Sequence, residues 1–295
     1  MGFAKRLNQS AVVSVFCLVL VSACTEDADD VGKNDAATTS TSSTTLHGAC
    51  DSSKRIGGFE VSVGPSTRFI TGIVLAGVVP STIQNEIADL GSCKLMRQNS
   101  TFCDPACEMN MDCDTNGQCI AHPASQNVGA VSITGLAQAV EMPAANTYFV
   151  SPLPATVVEP GASVQLRAAG GDISGFKLYG KGIKPLVVTD SVWNVAAAQA
   201  TTISWEAASV SGATIVVSFG LDQHGTTPVQ MVCEVEDTGS LVISAEQIKQ
   251  LVDRGTGVPT EGTIKRRTVD SVQTSKGCID FTVYSQSKTK VNFTP

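Results

Sequence analysis

The chain has 295 residues, 42% of them hydrophobic, 16% charged and 5% aromatic, with 26 Gly, 12 Pro and 10 Cys. Low charge and ample core-forming residues exclude a disordered polymer and a coiled coil. Acidic residues outnumber basic ones by 27 to 20, a net charge of −7, which argues against nucleic-acid binding through phosphate neutralisation.

At the N-terminus, Lys5 and Arg6 precede an apolar run from Ala11 to Val21 that contains one Ser. The run is too short to span about 30 Å of hydrocarbon comfortably, so residues 1–23 read as an export signal. It continues into Val21-Ser22-Ala23-Cys24, which resembles the bacterial lipobox: an aliphatic residue, two small residues, then the cysteine. The resemblance implies that the Cys24 thiol carries a diacylglycerol and that Cys24 becomes the first residue of an acylated lipoprotein. Thr25, rather than Asp, follows it, which by the same analogy implies the outer membrane, with the periplasmic or surface-facing side left open. Removal of Lys5 and Arg6 leaves 18 basic against 27 acidic residues. No later apolar run approaches 18 residues, so the expected attachment to the bilayer is lipid alone. Several acyl chains, at about 0.8 kcal/mol per buried methylene, make such an anchor durable.

Residues 24–48 are rich in acids, Ala, Ser and Thr and nearly devoid of large apolar side chains, the composition of a disordered tether. Flexible chain of this length reaches roughly 25–30 Å on average.

Beyond Cys17 and Cys24, eight cysteines remain, an even number that in an exported chain implies disulfides. Cys103, Cys107, Cys113 and Cys119 crowd into one turn-rich stretch, read as a disulfide knob over residues 99–123. Four cysteines allow three connectivities; the interleaved one, Cys103 with Cys113 and Cys107 with Cys119, is expected. The spacings lack the close pairs usual in zinc sites, and export places the thiols in an oxidising compartment, so no metal is expected. Of the remaining four, Cys233 and Cys278 are expected to bridge neighbouring strands or sheets, leaving Cys50 to Cys93. Asp112-Cys113-Asp114-Thr115-Asn116-Gly117 copies the first half of a calcium loop, but Pro123 stands where the bidentate acid belongs, so Asx turns are the simpler reading.

Period-two alternation marks strands at 59–63, 131–133, 163–166, 201–205, 214–219, 230–234 and 278–284, separated by Gly, Asp and Pro turn signals. The expected fold is therefore mainly β, an antiparallel β-sandwich of Ig-like type. It has a first β-rich segment at 49–98, the knob as an insertion, and the main sandwich at 124–295. Two short helices are expected as lids. One begins at Ser244 with Gln247 as capping partner and Ile248, Leu251 and Val252 on one face. The other pairs Ser81 with Gln84, followed by Ile83, Ile87 and Leu90. Trp193 and Trp205 are expected in the core.

Gly57-Gly58-Phe59, Gly77-Val78-Val79-Pro80, Phe102-Cys103-Asp104-Pro105, Gly117-Gln118-Cys119, Ala168-Ala169-Gly170-Gly171, Asp222-Gln223-His224-Gly225, Asp237-Thr238-Gly239 and Gly277-Cys278 stand in this order. With Cys233 they resemble a group of uncharacterised cysteine-rich lipoproteins of myxobacteria and related Gram-negative bacteria. The likeness spans most of residues 50–285 and implies location and architecture without a mechanism.

A hydrolase requires a nucleophile, a base and an orienting group, or a metal with an open position. The chain has three histidines, His47, His122 and His224. Only Asp222 with His224 offers an acid/base pair, in a segment more simply read as a turn. Gly171-Asp172-Ile173-Ser174-Gly175 lacks the spacing of a serine-protease loop, and no phosphate-binding or metalloprotease motif is present. The expected function is a non-catalytic envelope lipoprotein, without cofactor, that binds or scaffolds an envelope protein or glycan. The rival readings are a hydrolase using Asp222 and His224 and a calcium-dependent adhesin using Asp112, Asp114 and Asn116.

Overall fold

The computed structural model describes residues 45–294 except 66, 99–102, 198, 222–228, 256, 258 and 260. The signal segment, Cys24, most of the tether and the pair Asp222 and His224 lie outside the described residues. β1 (Arg55–Val63) and β2 (Arg68–Val74) form a hairpin, and a 3-10 turn at Pro80–Thr82 leads to a second one, β3 (Gln84–Asp89) with β4 (Cys93–Gln98). β5 (Met111–Cys113) and β6 (Cys119–Ala121) make up the knob. β7 (Val131–Thr134), β8 (Val140–Met142), β9 (Thr147–Val150), β10 (Ser163–Ala168) and β11 (Phe176–Lys181) follow. Next come β12 (Val192–Ala196), β13 (Thr201–Ser204), β14 (Thr214–Leu221), β15 (Val229–Glu236) and β16 (Ser240–Ile243). Helix α1 (Ala245–Arg254) precedes the two longest strands, β17 (Glu261–Gln273) and β18 (Cys278–Thr294).

Ten strands share one sheet in the order β3-β4-β15-β14-β17-β18-β1-β2-β9, with β12 also paired to β18. The strands of residues 49–98 thus extend the same sheet as the later segment. A four-stranded sheet, β11-β10-β7-β8, and a two-stranded one, β13-β16, accompany it. The body is mainly β and sandwich-like, and most pairings are antiparallel as expected. Two are parallel: β1 and β12 both lie along β18, with Phe59 opposite Phe281 and Trp193 opposite Val291. Long connections deliver these strands to β18, and a tight hairpin cannot join a parallel pair.

Alternation along the strands feeds two cores. In the first, Phe59, Val61, Ile70, Phe281 and Val283 of the large sheet meet Ile133, Leu166 and Leu178 of the four-stranded sheet. In the second, Ile215, Val217, Phe219 and Met231 pack with Ile203, Leu241 and Ile243, and α1 adds Ile248 and Leu251. Each such side chain contributes about 1.5–3 kcal/mol on burial. Two glycines make room for rings: a Cβ on Gly72 would lie 2.2 Å from the Phe59 ring, and one on Gly262 would lie 2.2 Å from the Trp193 indole. Trp193 and Trp205 are both in the core, as the sequence predicts.

Between the two cores the inward positions of β17 and β18 are polar. Arg266, Thr268, Asp270 and Ser285 are all buried. Each grips main chain. Arg266 donates to both Asp237 oxygens, at 2.7 and 3.1 Å, and to the carbonyls of Lys184, Pro185 and Glu206. Thr268 exchanges hydrogen bonds with the Lys181 backbone, Asp270 accepts from the Tyr179 amide at 2.9 Å, and Ser285 accepts from the Leu186 amide at 2.9 Å. The segment from β11 to Leu186 is therefore strapped across the middle of the β17–β18 hairpin.

The α1 helix forms with its capping box: the Ser244 hydroxyl accepts from Gln247 N, and the Gln247 side chain accepts from Ser244 N at 2.8 Å. The second expected helix does not form. Pro80–Thr82 make a single 3-10 turn and Gln84–Asp89 become β3. A bulge between Glu86 and Ala88 turns Ile87 and Ala88 together toward the second core. That irregularity imitates helical spacing in the sequence.

Disulfides join Cys103 to Cys113 and Cys107 to Cys119 in the knob. The other four cysteines pair differently from the expectation: Cys50 with Cys278 and Cys93 with Cys233. Strand register is the reason. Cys93 stands directly opposite Cys233 in the β4–β15 ladder, and parallel pairing of β1 with β18 carries Cys50 to Cys278. His47, within the stretch expected as a tether, is held against β17, its amide and Nδ1 meeting one Asp270 oxygen at 2.9 and 2.8 Å.

Replacing Arg266 with Ala should lower stability by about 3–5 kcal/mol, because Asp237 stays buried without its counter-charge. Urea denaturation should show this loss and almost none for Lys94→Ala, whose pair with Glu86 is exposed. The knob depends on cross-links of about 2–4 kcal/mol each rather than on a core. In a Cys103→Ser/Cys107→Ser variant, hydrogen exchange should speed up over residues 103–122 while the amides of β14, β17 and β18 keep their protection.

Candidate functional site

With Phe59, Val61 and Val63 turned into the first core, Glu60 and Ser62 of β1 face outward. On β18, inward Ile279, Phe281 and Val283 leave Asp280, Thr282 and Tyr284 outside, and on β17 Lys265, Arg267 and Val269 do the same. Register aligns them. Arg267, Tyr284, Ser62 and Phe69 form one row across the sheet, and Val269, Thr282, Glu60, Thr71 and Phe149 form the next.

Charges crowd the middle of this outer face. Arg267 reaches both Glu234 oxygens at 3.0 and 3.1 Å. Arg55 Nε lies 3.0 Å from Asp280, whose other oxygen accepts the Cys50 amide at 2.7 Å. Lys265 Nζ stands 4.5 Å above the centre of the Tyr284 ring, a cation–π contact.

Burial dominates the ionisation of the group. It lowers the Lys265 pKa, with the Glu60 charge opposing. It raises that of Asp280, against the Cys50 amide and Arg55, and raises that of Tyr284, helped by the negative charge of Glu60. At one end of the face, Phe69 and Phe149 stack obliquely with ring centres 6.2 Å apart, Phe149 69% exposed.

At the other end, where β3, β4, β15 and β14 meet, a cleft of about 210 Å³ opens beside Met96 and Gly220. Gln84, Gln98 and Gln230 line it. A larger cleft, about 470 Å³, lies along 209–214 and 236–238, and its Asp237 is already committed to Arg266 and Trp205.

Of the residues singled out in the sequence, the knob acids have protein partners. Asp114 accepts from the amides of Asn116 and Gln118, each at 2.8 Å, and these bonds, that of Gln118 foremost, lower its pKa. Asp112 instead meets His122 Nδ1 at 2.8 Å. The two carboxylates thus have different partners, and Asn116 caps the turn. Two groups of potential metal ligands, Cys103 with Cys107 and Cys119, and Cys50 with Cys278 and Asp280, have every sulfur in a disulfide. β17 is not legible in the sequence, because Arg266, Thr268 and Asp270 at its inward positions hide the alternation. The outward Lys265 and Arg267 were overlooked with it.

No family model matches the sequence, and no curated protein matches it. Among solved structures, the FN1–FN3 domains of chicken CNTN1 are similar at 9% identity, over 74% of this chain and 77% of that one, with a TM-score of 0.21. A likeness at this level leaves function to be read from the residues themselves.

Between the lowered pKa of folded Lys265 and its ordinary value of 10.5, the folded state binds fewer protons than the unfolded chain. Stability from this residue therefore rises with pH across that window. Tyr284 has the opposite sign: its raised pKa makes stability fall as pH climbs above the ordinary value of 10.0. In urea titrations approaching pH 10, the wild type should gain stability relative to Lys265→Met; parallel curves for the two would contradict the placement of Lys265.

Proposed function

We propose that the protein is a lipid-anchored lipoprotein of the outer membrane whose folded body binds or scaffolds an envelope component without catalysis. The observation that carries this reading is the order of Lys5 and Arg6, the apolar run to Val21, and Val21-Ser22-Ala23-Cys24. Closure of Cys50, Cys93, Cys103, Cys107, Cys113, Cys119, Cys233 and Cys278 into four disulfides supports passage into an oxidising compartment. Among the described residues no helix is long and apolar enough to cross a membrane, which is compatible with attachment through lipid on Cys24.

The binding role is assigned to the outer face of the large sheet, where exposed Phe149, the part-exposed Arg267–Glu234 pair and the Gln84 and Gln98 amides share one surface. A surface of mutually paired ions suits recognition rather than bond cleavage, which needs convergent groups around a reacting atom.

Replacing Cys24 with Ala should abolish incorporation of labelled fatty acid and release the body from the membrane fraction, with its four disulfides intact. Label retained by the variant, or a body resistant to carbonate extraction, would show that the anchor lies elsewhere.

A further inference from the structure

The amide-lined cleft at the β3–β4–β15–β14 end of the outer face has a chemistry distinct from the charged middle. Gln230 lies opposite Met96 in the β4–β15 ladder and opposite Gly220 in the β14–β15 ladder, and Gln84 lies opposite Gln98 in the β3–β4 ladder. Three primary amides thus surround one hollow, with the Met96 side chain among its lining.

Gly220 keeps the hollow open. A Cβ there would stand 2.9 Å from the Val229 carbonyl and 3.5 Å from the Gln230 Cβ. The Gln98 amide is oriented by donating to the Ser81 carbonyl at 2.6 Å, which leaves its oxygen available as an acceptor. The Ser52 hydroxyl fixes the backbone of Gln84, accepting from its N–H and donating to its carbonyl.

Charge narrows the ligand class. Glu86 and Lys94, beside the cleft on the outer face, neutralise each other at 2.7 Å, and the described residues that line it are all uncharged. Each Gln amide presents an acceptor oxygen and two N–H donors in one plane, the complement of hydroxyls that both donate and accept. A thioether is an apolar, adaptable surface suited to the C–H face of a ring. Ladder bonds already occupy the main chain of β4, β15 and β14 around the hollow, and at Gln84 of the edge strand β3 the N–H and carbonyl are taken up by the Ser52 hydroxyl. An extended peptide adds to a sheet edge through main-chain bonds, and this site is not of that kind. Its volume, about 210 Å³, is below the about 300–1,000 Å³ of sites for drug-sized ligands, in keeping with one ring of a longer chain lying across the surface.

We infer that this cleft binds an uncharged saccharide unit, with Gln84, Gln98 and Gln230 as its hydrogen-bonding residues and Met96 beneath the ring. The inference deepens the envelope-binding reading by assigning a glycan, rather than a protein, as the occupant.

Full-length protein purified in detergent would be titrated calorimetrically with chitotriose, cellotriose and maltotriose, and with N-acetyl-triglycine amide as a peptide probe. At least one of the three saccharides should bind. Gln230→Ala and Gln84→Ala should each weaken it roughly tenfold, as loss of a charge-free hydrogen-bonding group in a partly enclosed site does. Lys177→Ala, on exposed β11 surface, should leave it unchanged. Unaltered thermal melting of the Gln variants would establish that the loss is local. Binding by none of the saccharides, binding undiminished in both Gln variants, or a Gln-dependent preference for the peptide would each overturn the inference. The measurement does not depend on lipid at Cys24, so its outcome is separate from that of the anchoring experiment.

Discussion

The structure hangs on a row of buried polar side chains that hold a crossing segment of main chain. Arg266, Thr268 and Asp270 on β17 and Ser285 on β18 occupy inward positions between the two apolar cores, and they bond backbone from Tyr179 to Leu186. A buried guanidinium and carboxylate cost several kcal/mol each in desolvation, and only a fully bonded geometry offsets that. Here the geometry is full. Arg266 is shared between Asp237 and three carbonyls, and Asp237 also accepts from the Trp205 indole at 2.8 Å. The row therefore selects one docking of the small sheets against the large one, because a slip of one residue would strand every one of these groups.

That constraint explains why β17 and β18 are the longest strands. One end of the hairpin supplies Ile279, Phe281 and Val283 to the first core, and the other supplies Ile264 and Val291 to the second. A strand of period two that must be apolar, then polar, then apolar on its inner side presents its outer side as an uninterrupted row. The outer face, with Lys265 over Tyr284, the Arg267–Glu234 pair and the amide cleft, is the consequence. The proposed recognition surface thus lies along the two longest strands of the fold.

The cross-links follow the same ladder. Cys93 with Cys233 ties β4 to β15, and Cys50 with Cys278 fastens the segment before β1 to the start of β18. Beside the second bridge, Asp280 accepts the Cys50 amide and His47 meets Asp270, so the described segment before β1 is held by β17 and β18 rather than by an edge strand.

Local chemistry was enough to reveal the strands with apolar inward positions, the capping box at Ser244 and the cysteine-dense knob, since each is encoded within a few residues. Tertiary structure decided the rest. The pairing of Cys50, Cys93, Cys233 and Cys278 depends on which strands lie side by side, and β3 masqueraded as a helix because a bulge imitates helical spacing. β17 was illegible because its inward side chains bond distant main chain instead of filling a core. The outer face was hidden for a related reason: Glu60, Lys265, Tyr284 and Gln230 are far apart in the chain, and only strand register, set by long-range hydrogen bonds, places them on one surface.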